Sequence, residues 1–558
     1  MSLPPPDLPE RKPSASPEKP TQQNSVPKPD DAQGLKKFIR SARAEAKRGG
    51  DVNVANLGDG AQVDQIAVGR NILQAKINIG SLVIPVRFLL ALLAVALVIA
   101  IAAWWIVTPD KMPSENGAFN IAVADFGVTD AQGNVSASSD ASAWSKWMFD
   151  SLASESKQLP QGLKVTVWHD SLFPFQERAR IGLIQGRTIA AREQAAEQKA
   201  RELNADLVIY GNFATDQPPG TFVPEFYLAK SRNEADEMRG SQAMGKPFVL
   251  PSPVNPADQL TRKYLERNLT PRAIALAWFV PGLLDDLAGN FENAYRMFDK
   301  GLNDVENFQD DQGKAVFYYF KGQEALFLSQ FPERARAFFG SENPGITGVD
   351  PALNAAADAF RRAQALDANY ARAHFGQGSV LYQRANLILT NTFPEDAARA
   401  DVPALLQQAI QAHQRALELA RNAPGSLMEQ QATLQLGFDY YQLGRAALDA
   451  KNYADAERAL QQARAQLLQG LDDTPQEQYR IRAQVYGMLA RTAYLMAQTR
   501  LAQNDRAGAR AEFSNADSAF AKCVAESNLL VQDEYLQNFK TACENGGKQV
   551  RAELEKLN

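Results

Sequence analysis

Residues 88–107 read FLLALLAVALVIAIAAWWIV, twenty apolar residues with neither a charge nor a proline among them. As a helix this run is about 30 Å long, the thickness of a bilayer's hydrocarbon core. Twelve of the twenty are Leu, Ile, Val or Phe, and each contributes about −0.3 to −0.6 kcal/mol to insertion, so the sum is roughly −4 to −7 kcal/mol. A helix apolar on every side has no face to turn to water, which makes a buried core helix the poorer reading. The run predicts one membrane crossing. A single helix cannot build a translocation path between repeats, so a transporter is excluded.

The run begins too far from residue 1 to be a cleaved leader and reads as an uncleaved signal-anchor. Lys36, Lys37, Arg40, Arg43, Lys47, Arg48, Arg70, Lys76 and Arg87 precede it, whereas Asp110, Lys111 and Glu115 follow it without positive excess. The positive-inside rule places the N-terminus in the cytoplasm and residues 108–558 outside it, in the periplasm or beyond the cell surface. Trp104 and Trp105 stand at the outer boundary, where indole rings favour the headgroup layer. The expected location is therefore the plasma (inner) membrane, crossed once. The first 87 residues carry 13 Lys+Arg against 9 Asp+Glu, and the rest 46 against 55. A basic tail suits an anionic leaflet, and a mildly acidic body gives no electrostatic case for nucleic acid.

Residues 1–33 hold nine prolines among Ser, Gln, Lys and Asp. They have too little to bury to offset their ordering entropy, and a disordered cytoplasmic tail is expected. Residues 34–87 form a basic juxtamembrane segment. Within it Leu35, Phe38, Ile39 and Ala42 recur at helical spacing opposite the basic residues, as in a helix lying on an anionic surface or a short soluble helix that enforces topology. Its Gly/Asp-rich part, residues 50–80, alternates small apolar residues with turn formers and suits short β-turns. Residues 108–117 read as a linker.

A small α/β domain is expected over 118–252. FNIAVADF (119–126), LKVTVWHD (163–170) and ADLVIYGNFAT (205–215) read as strands, separated by helices from Ala143 to Lys157 and over 188–204. TFVPEFYLA (221–229) reads as a fourth strand at an edge, because Pro224 cannot donate to a ladder. Alternating strands and helices argue for a small, largely parallel sheet. The opening strand IAVADF (121–126) and the join ARELNADLVIYGNF (200–213) resemble the amino-terminal domain of TolB and FlgO-like domains over about 100 residues. That resemblance implies partner binding and not catalysis.

From about residue 257 the strands vanish, and an internal period emerges. Trp278, Gly282, Ala294 and Phe298 share their spacing with Tyr440, Gly444, Ala456 and Leu460. The pattern resembles the tetratricopeptide repeat (TPR), in which small residues let paired helices approach and larger side chains fill the gap. Residues 253–558 are thus expected to form a TPR-like all-α solenoid of five or six helix pairs, with insertions near 340–352 and 389–403. EYLQNFKTACENGGKQVRAELEKL is expected to close it as a capping helix pair. In TPR-like helices the residue after the Trp/Tyr position faces the concave groove. Here that residue is Phe279, Tyr319, Phe375, Tyr441 and Tyr494, a row of rings suited to gripping a peptide or an apolar helix. Packing alone also places tyrosine at this position.

Only three histidines exist: His169, His374 and His413. No second ligand stands at metal spacing, so neither metal nor cofactor is expected. His169-Asp170 closes a strand without a placed nucleophile, and no G-x-S-x-G, H-E-x-x-H or paired CxxC is present. Cys523 and Cys543 enclose about 20 residues. They either form a bridge worth about 3 kcal/mol or remain two buried thiols, as helix register decides. The expected function is a non-catalytic, membrane-anchored scaffold of bacterial type that recruits protein partners through the TPR groove. The alternative is an envelope sensor whose α/β domain binds a small ligand and signals inward.

Overall fold

The computed structural model describes residues 61–62, 76–79, 82–85, 111–112, 118–158, 164–170, 181–214, 220–229, 238–249, 259–304, 311–340, 350–390, 401–476, 478–529 and 534–557. The proline-rich tail, the basic stretch 34–50 and the apolar run 88–107 lie outside them, as do most of the two expected insertions. Among the described residues no helix is long and apolar enough to cross a membrane. The chain divides into two compact units, one of which covers residues 7–109. In it β1 (Ala61–Gln62), β2 (Lys76–Ile79) and β3 (Leu82–Pro85) pair antiparallel, with Ile77 opposite Ile84 and Ala61 opposite Ile79.

The other unit runs from Asp110 to Asn558. It opens on β4 (Ala118–Val123), β5 (Gly127–Thr129), β6 (Val135–Ala137), α1 (Ser139–Glu155), β7 (Lys164–His169), α2 (Ile189–Leu203), β8 (Leu207–Ala214), β9 (Thr221–Leu228), β10 (Gly240–Ala243) and β11 (Phe248–Val249). The main path of the sheet is β10-β9-β8-β4-β7. β4 is parallel to β7 and β8, while β9 to β11 are antiparallel. The sheet is therefore mixed, and the expectation of a largely parallel sheet holds only for its first strands.

β9 is also not the edge strand expected from Pro224, because β10 and β11 cover its far side. Pro224 falls opposite the break between them, since β10 pairs with Glu225–Leu228 and β11 with Thr221 and Phe222. Its carbonyl still accepts from Met244 N at 2.8 Å. The missing N–H thus costs the ladder nothing.

The join between α2 and β8 has a clear local cause. Thr188 caps α2 by accepting from Ala191 N at 3.1 Å, and Asn204 ends it in a left-handed conformation at φ 58°. Asp206 then accepts from Asn120 N at 2.7 Å, while Asn120 Nδ2 donates to Asn204 O at 2.9 Å. The helix end is thereby tied to β4. Met112, inside the expected linker, is buried and donates through its N–H to Leu203 O at 2.7 Å.

The helical part comprises α3 (Gln259–Leu287), α4 (Phe291–Asp304), α5 (Asp311–Leu328), α6 (Pro332–Phe339), α7 (Asp350–Leu366), α8 (Ala371–Leu389), α9 (Val402–Ala420), α10 (Leu427–Asp449), α11 (Tyr453–Asp472), α12 (Tyr479–Ala502), α13 (Arg506–Ser527) and α14 (Glu534–Leu557). The described helices pair as α3/α4, α5/α7, α8/α9, α10/α11 and α12/α13, with the short α6 inside the second pair. The glycines of the period mark the close approaches. A Cβ on Gly282 would stand 2.6 Å from the Phe298 ring, and one on Gly444 2.7 Å from Leu460. Either would overpack the pair.

The expected capping pair is a single helix, α14. At Gly546 the Phe520 ring of α13 lies against the helix backbone. One hydrophobic core runs from Phe119, Ile121 and Val123 of β4 through Trp144 and Met148 of α1 to Phe279, Phe320 and Phe360. The described sheet and the first described helices thus share one core. A second layer, Ala122, Val208 and Tyr210 against Ala196, Ala200 and Leu203, packs α2 on the opposite sheet face.

Cys523 on α13 and Cys543 on α14 are joined by a disulfide, with Cα atoms 6.3 Å apart. For a loop of this length, cross-linking the unfolded chain stabilises by about 3 kcal/mol. The double substitution Cys523→Ser, Cys543→Ser is expected to lower stability by that amount. Selective loss of amide-exchange protection in α14 is the measurement that checks it.

Candidate interaction surface

The five aromatic positions do not form one accessible row. Phe279 is 2% exposed, and its ring lies 5.6 Å from Phe226 of β9 and 4.4 Å from Phe320. Tyr319 is fully buried against Phe360 and Tyr370, and its hydroxyl accepts from Gln323 Nε2 at 3.1 Å. Phe375 is 1% exposed and packs on His413. These three are core residues, which corrects the expectation that they grip a partner. The sheet covers the first of them and neighbouring helices cover the other two. Tyr494 is half-buried, and its hydroxyl accepts from Gln549 Nε2 of α14 at 2.9 Å. Tyr441 is half-buried on α10.

The sheet is held on the helices by a polar seam as well as by the shared core. Tyr370 donates its hydroxyl to Gln242 Oε1 at 2.6 Å, and Arg372 Nη2 donates to Arg239 O at 2.7 Å. The Glu193 carboxylate of α2 accepts from Ser241 N at 2.7 Å and from Leu427 N, the first residue of α10, at 2.8 Å. Burial pushes the Glu193 carboxyl above its ordinary range, against these two N–H donors and Arg372. Gly240, at φ 112°, passes so close that a Cβ would stand 2.6 Å from Arg372 Nη2 and 2.8 Å from Glu193 Oε1. Only glycine fits there. An apolar cleft beside the seam, lined by Phe226, Met244, Leu276 and Phe279, has an open volume of about 30 Å³. That is room for roughly two waters.

The three histidines lie in separate places. His169 ends β7, and its Nδ1 donates to Asp170 O at 2.8 Å. Its Nε2 faces Ser145 Oγ of α1 at 3.0 Å, and that hydroxyl is also 3.2 Å from Asp125 Oδ1 and 2.8 Å from Ser142 O. The structure therefore supplies a hydroxyl partner that the sequence does not reveal, 24 residues away on another element. Ser145 is fully buried, however, so its oxygen is closed to a substrate. The Asp170 carboxylate accepts from Ile181 N at 2.6 Å and Gly182 N at 2.8 Å, and burial raises its pKa against them. The cluster ties β4, α1 and β7 together. His374 Nε2 donates to Ala368 O at 3.0 Å.

His413 is fully buried, with Nδ1 2.6 Å from Asp439 Oδ2 and Nε2 3.1 Å from Phe375 O. Among the described residues no three His, Cys, Asp or Glu side chains converge as metal ligands.

Beyond the part of the array that meets the sheet, α8, α10 and α12 carry a different set of groups. Tyr382 and Asn386 come from α8, Tyr441, Gln442 and Arg445 from α10, and Arg491 from α12. Gln442 Nε2 donates to Asn386 Oδ1 at 2.9 Å, bridging α10 to α8. Burial pushes both tyrosine hydroxyls above their ordinary range. Arg491 and then Arg445 oppose the rise at Tyr441, to which Asp449 adds, and at Tyr382 Arg491 opposes a rise to which Asp439 adds. Tyr441, Arg445 and Arg491 all keep part of their surface in solvent. This is the candidate interaction surface.

No family model matches this chain, and none of the curated proteins does either. Among solved structures, the chain is similar to a circular tandem repeat protein with novel repeat topology and enhanced subunit contact surfaces. They are 12% identical, the match covers 54% of this chain and 73% of that one, and the TM-score is 0.24. It is also similar to yeast Tom70, at 13% identity over 56% of this chain and 68% of that one, with a TM-score of 0.14. Both superpositions are loose, and the helical-repeat architecture rests on the pairing of helices described above: a small α/β part followed by a TPR-like array.

Proposed function

We propose that this chain is a single-pass membrane protein that works as a non-catalytic scaffold, recruiting a protein partner through the groove face of α8, α10 and α12. The observation that carries the reading is the division of the helical array. Its first helices are packed against the chain's own sheet, whereas Tyr441, Arg445 and Arg491 keep part of their surface in solvent on the later ones. The apolar run 88–107 and its basic flank support an anchor in the plasma (inner) membrane with the N-terminus in the cytoplasm. The Cys523–Cys543 bridge supports an oxidising, extracytoplasmic location for the folded bulk. The α/β part is read as a TolB/FlgO-like partner-binding module on the motifs at 121–126 and 200–213.

Two measurements test the proposal. Protease added to cells whose outer barrier has been opened is expected to digest the region after residue 108 and to spare the proline-rich end. Cross-linking from a photoreactive residue at position 445 is expected to trap a discrete protein adduct that Tyr441→Ala abolishes without unfolding the chain. Protection of the helical part, or an adduct indifferent to Tyr441→Ala, would refute it.

A further inference from the structure

We propose that the joint between α8, α9 and α10 is a proton-dependent clamp: the buried His413–Asp439 pair takes up one proton as these helices pack, and the joint loosens as pH rises. The clamp does not depend on the scaffold reading, although α8 and α10 also carry the recruiting surface. α9 packs on both neighbours, and the His413 ring reaches each of them. Its Nδ1 lies 2.6 Å from Asp439 Oδ2 of α10, and its Nε2 lies 3.1 Å from Phe375 O of α8. Both side chains of the pair are closed to solvent. Gly378 of α8 makes the approach possible, because a Cβ there would stand 2.5 Å from His413 Nε2.

The donors and acceptors fix the number of protons. A backbone carbonyl only accepts, so the Phe375 contact requires a hydrogen on Nε2. The contact at 2.6 Å then needs a hydrogen of its own, carried by Nδ1 or by the carboxyl. In either form the packed pair holds two protons, which belong to the pair and not to one residue. A neutral imidazole beside an ionised carboxylate holds only one. It must set a lone pair against an oxygen at one of the two contacts, out of reach of bulk water. In the unfolded chain a histidine gives up its extra proton near about pH 6.5. Below that value the contribution of the pair to the joint is fully present. Above it folding takes up a proton, and the packing equilibrium constant falls by up to about tenfold per pH unit until the packed pair releases it.

Among the described residues, the titratable neighbours of the pair are Tyr382 of α8 and Tyr440 of α10. Burial pushes both hydroxyls up, Asp439 adds to each rise, and Arg491 of α12 opposes the one at Tyr382. Both therefore stay neutral through this range. Gln435 Nε2 of α10 donates to Asp439 Oδ1 at 3.2 Å and suits the carboxyl in either form. On α9 itself Arg415 and Glu418 pair with each other, 2.8 Å apart at the surface. His374 of α8 is the other histidine on these helices, with its Nε2 donating to Ala368 O at 3.0 Å in an exposed position.

Amide hydrogen exchange on the full chain in detergent micelles tests the clamp, read from about pH 6 to pH 9 and corrected for the intrinsic rise of exchange with pH. In the natural chain, protection of α9 and α10 relative to α13 is expected to fall several-fold per pH unit above about pH 6.5. Asp439→Asn removes the need for the second proton, because the new amide donates to Nδ1 of a neutral imidazole and its oxygen still accepts from Gln435. This variant is expected to fold and to lose the pH dependence. His413→Gln has nothing to titrate and is expected to lose it too, whereas His374→Gln is expected to keep it. A flat protection ratio in the natural chain overturns the clamp, whatever the variants do. So does a slope that persists in Asp439→Asn or His413→Gln, or one that vanishes in His374→Gln.

Discussion

Phe279→Ala is expected to cost about 3–5 kcal/mol and to loosen the sheet from the helices, because removing a buried phenyl ring leaves a cavity that the surroundings only partly fill. The ring meets Phe226, Phe298, Phe317 and Phe320 at centroid distances of 5.6, 5.2, 5.3 and 4.4 Å. It is the point where β9, α3, α4 and α5 share one core. Denaturant unfolding reads the loss. Faster proteolysis between residues 229 and 259 reads the loosening. Tyr441→Ala, on a half-buried side chain, is expected to cost about 1–2 kcal/mol. Were Phe279 a gripping residue in an open groove, the two substitutions would have similar, small effects on stability. A small loss at 279 would therefore overturn the account of the seam.

Glu193→Ala is expected to cost about 2–6 kcal/mol, since the part-buried N–H groups of Ser241 and Leu427 each lose an acceptor, at about 1–3 kcal/mol apiece. Glu193→Gln keeps one carbonyl oxygen for one of these donors, and roughly half the loss is expected. The two chains also differ in pH dependence. Burial raises the folded-state pKa of Glu193 above an unfolded value of about 4.3. The stabilisation from this carboxyl is then complete below the unfolded value and fades as pH rises through the folded one. The advantage of the natural chain over Glu193→Gln is expected to be greatest near pH 4 and to shrink toward neutrality. Unfolding midpoints measured from pH 4 to pH 8 decide it; an advantage that grows with pH would mean that the ionised carboxylate, not the acid, is the form the seam favours.

Much of this was legible along the chain because the signals are local. The strand over 118–123, the helix over 189–203 and the strand over 207–214 lie where alternation and helical spacing place them. Thr188 and Asn204 also mark the helix ends by their own chemistry. The repeat is equally local, since a glycine and the large residue 16 positions later meet across one helix pair, as Gly282 does Phe298 and Gly444 does Leu460. What misled was a local signal answered by a distant element. Pro224 suggests an edge, but a break between two strands accommodates it.

The candidate surface shows the same split. Periodicity places Phe279, Tyr319, Phe375, Tyr441 and Tyr494 at equivalent helix positions, because side-chain direction along a helix follows from residue spacing. Which of those positions meets water depends on what else the chain folds against them, and that involves residues far apart in sequence: Phe226 for Phe279, Tyr370 for Tyr319, His413 for Phe375. The partners of Ser145, Glu193 and Asp439 are hidden in the chain for the same reason, since hydrogen bonds across 24, 234 and 26 residues leave no periodic trace. Spacing along one element thus settles helix, strand and repeat. Burial, and with it the choice between a core ring and a binding ring, is a property of the packed whole, because it depends on surfaces that meet only after the chain has folded.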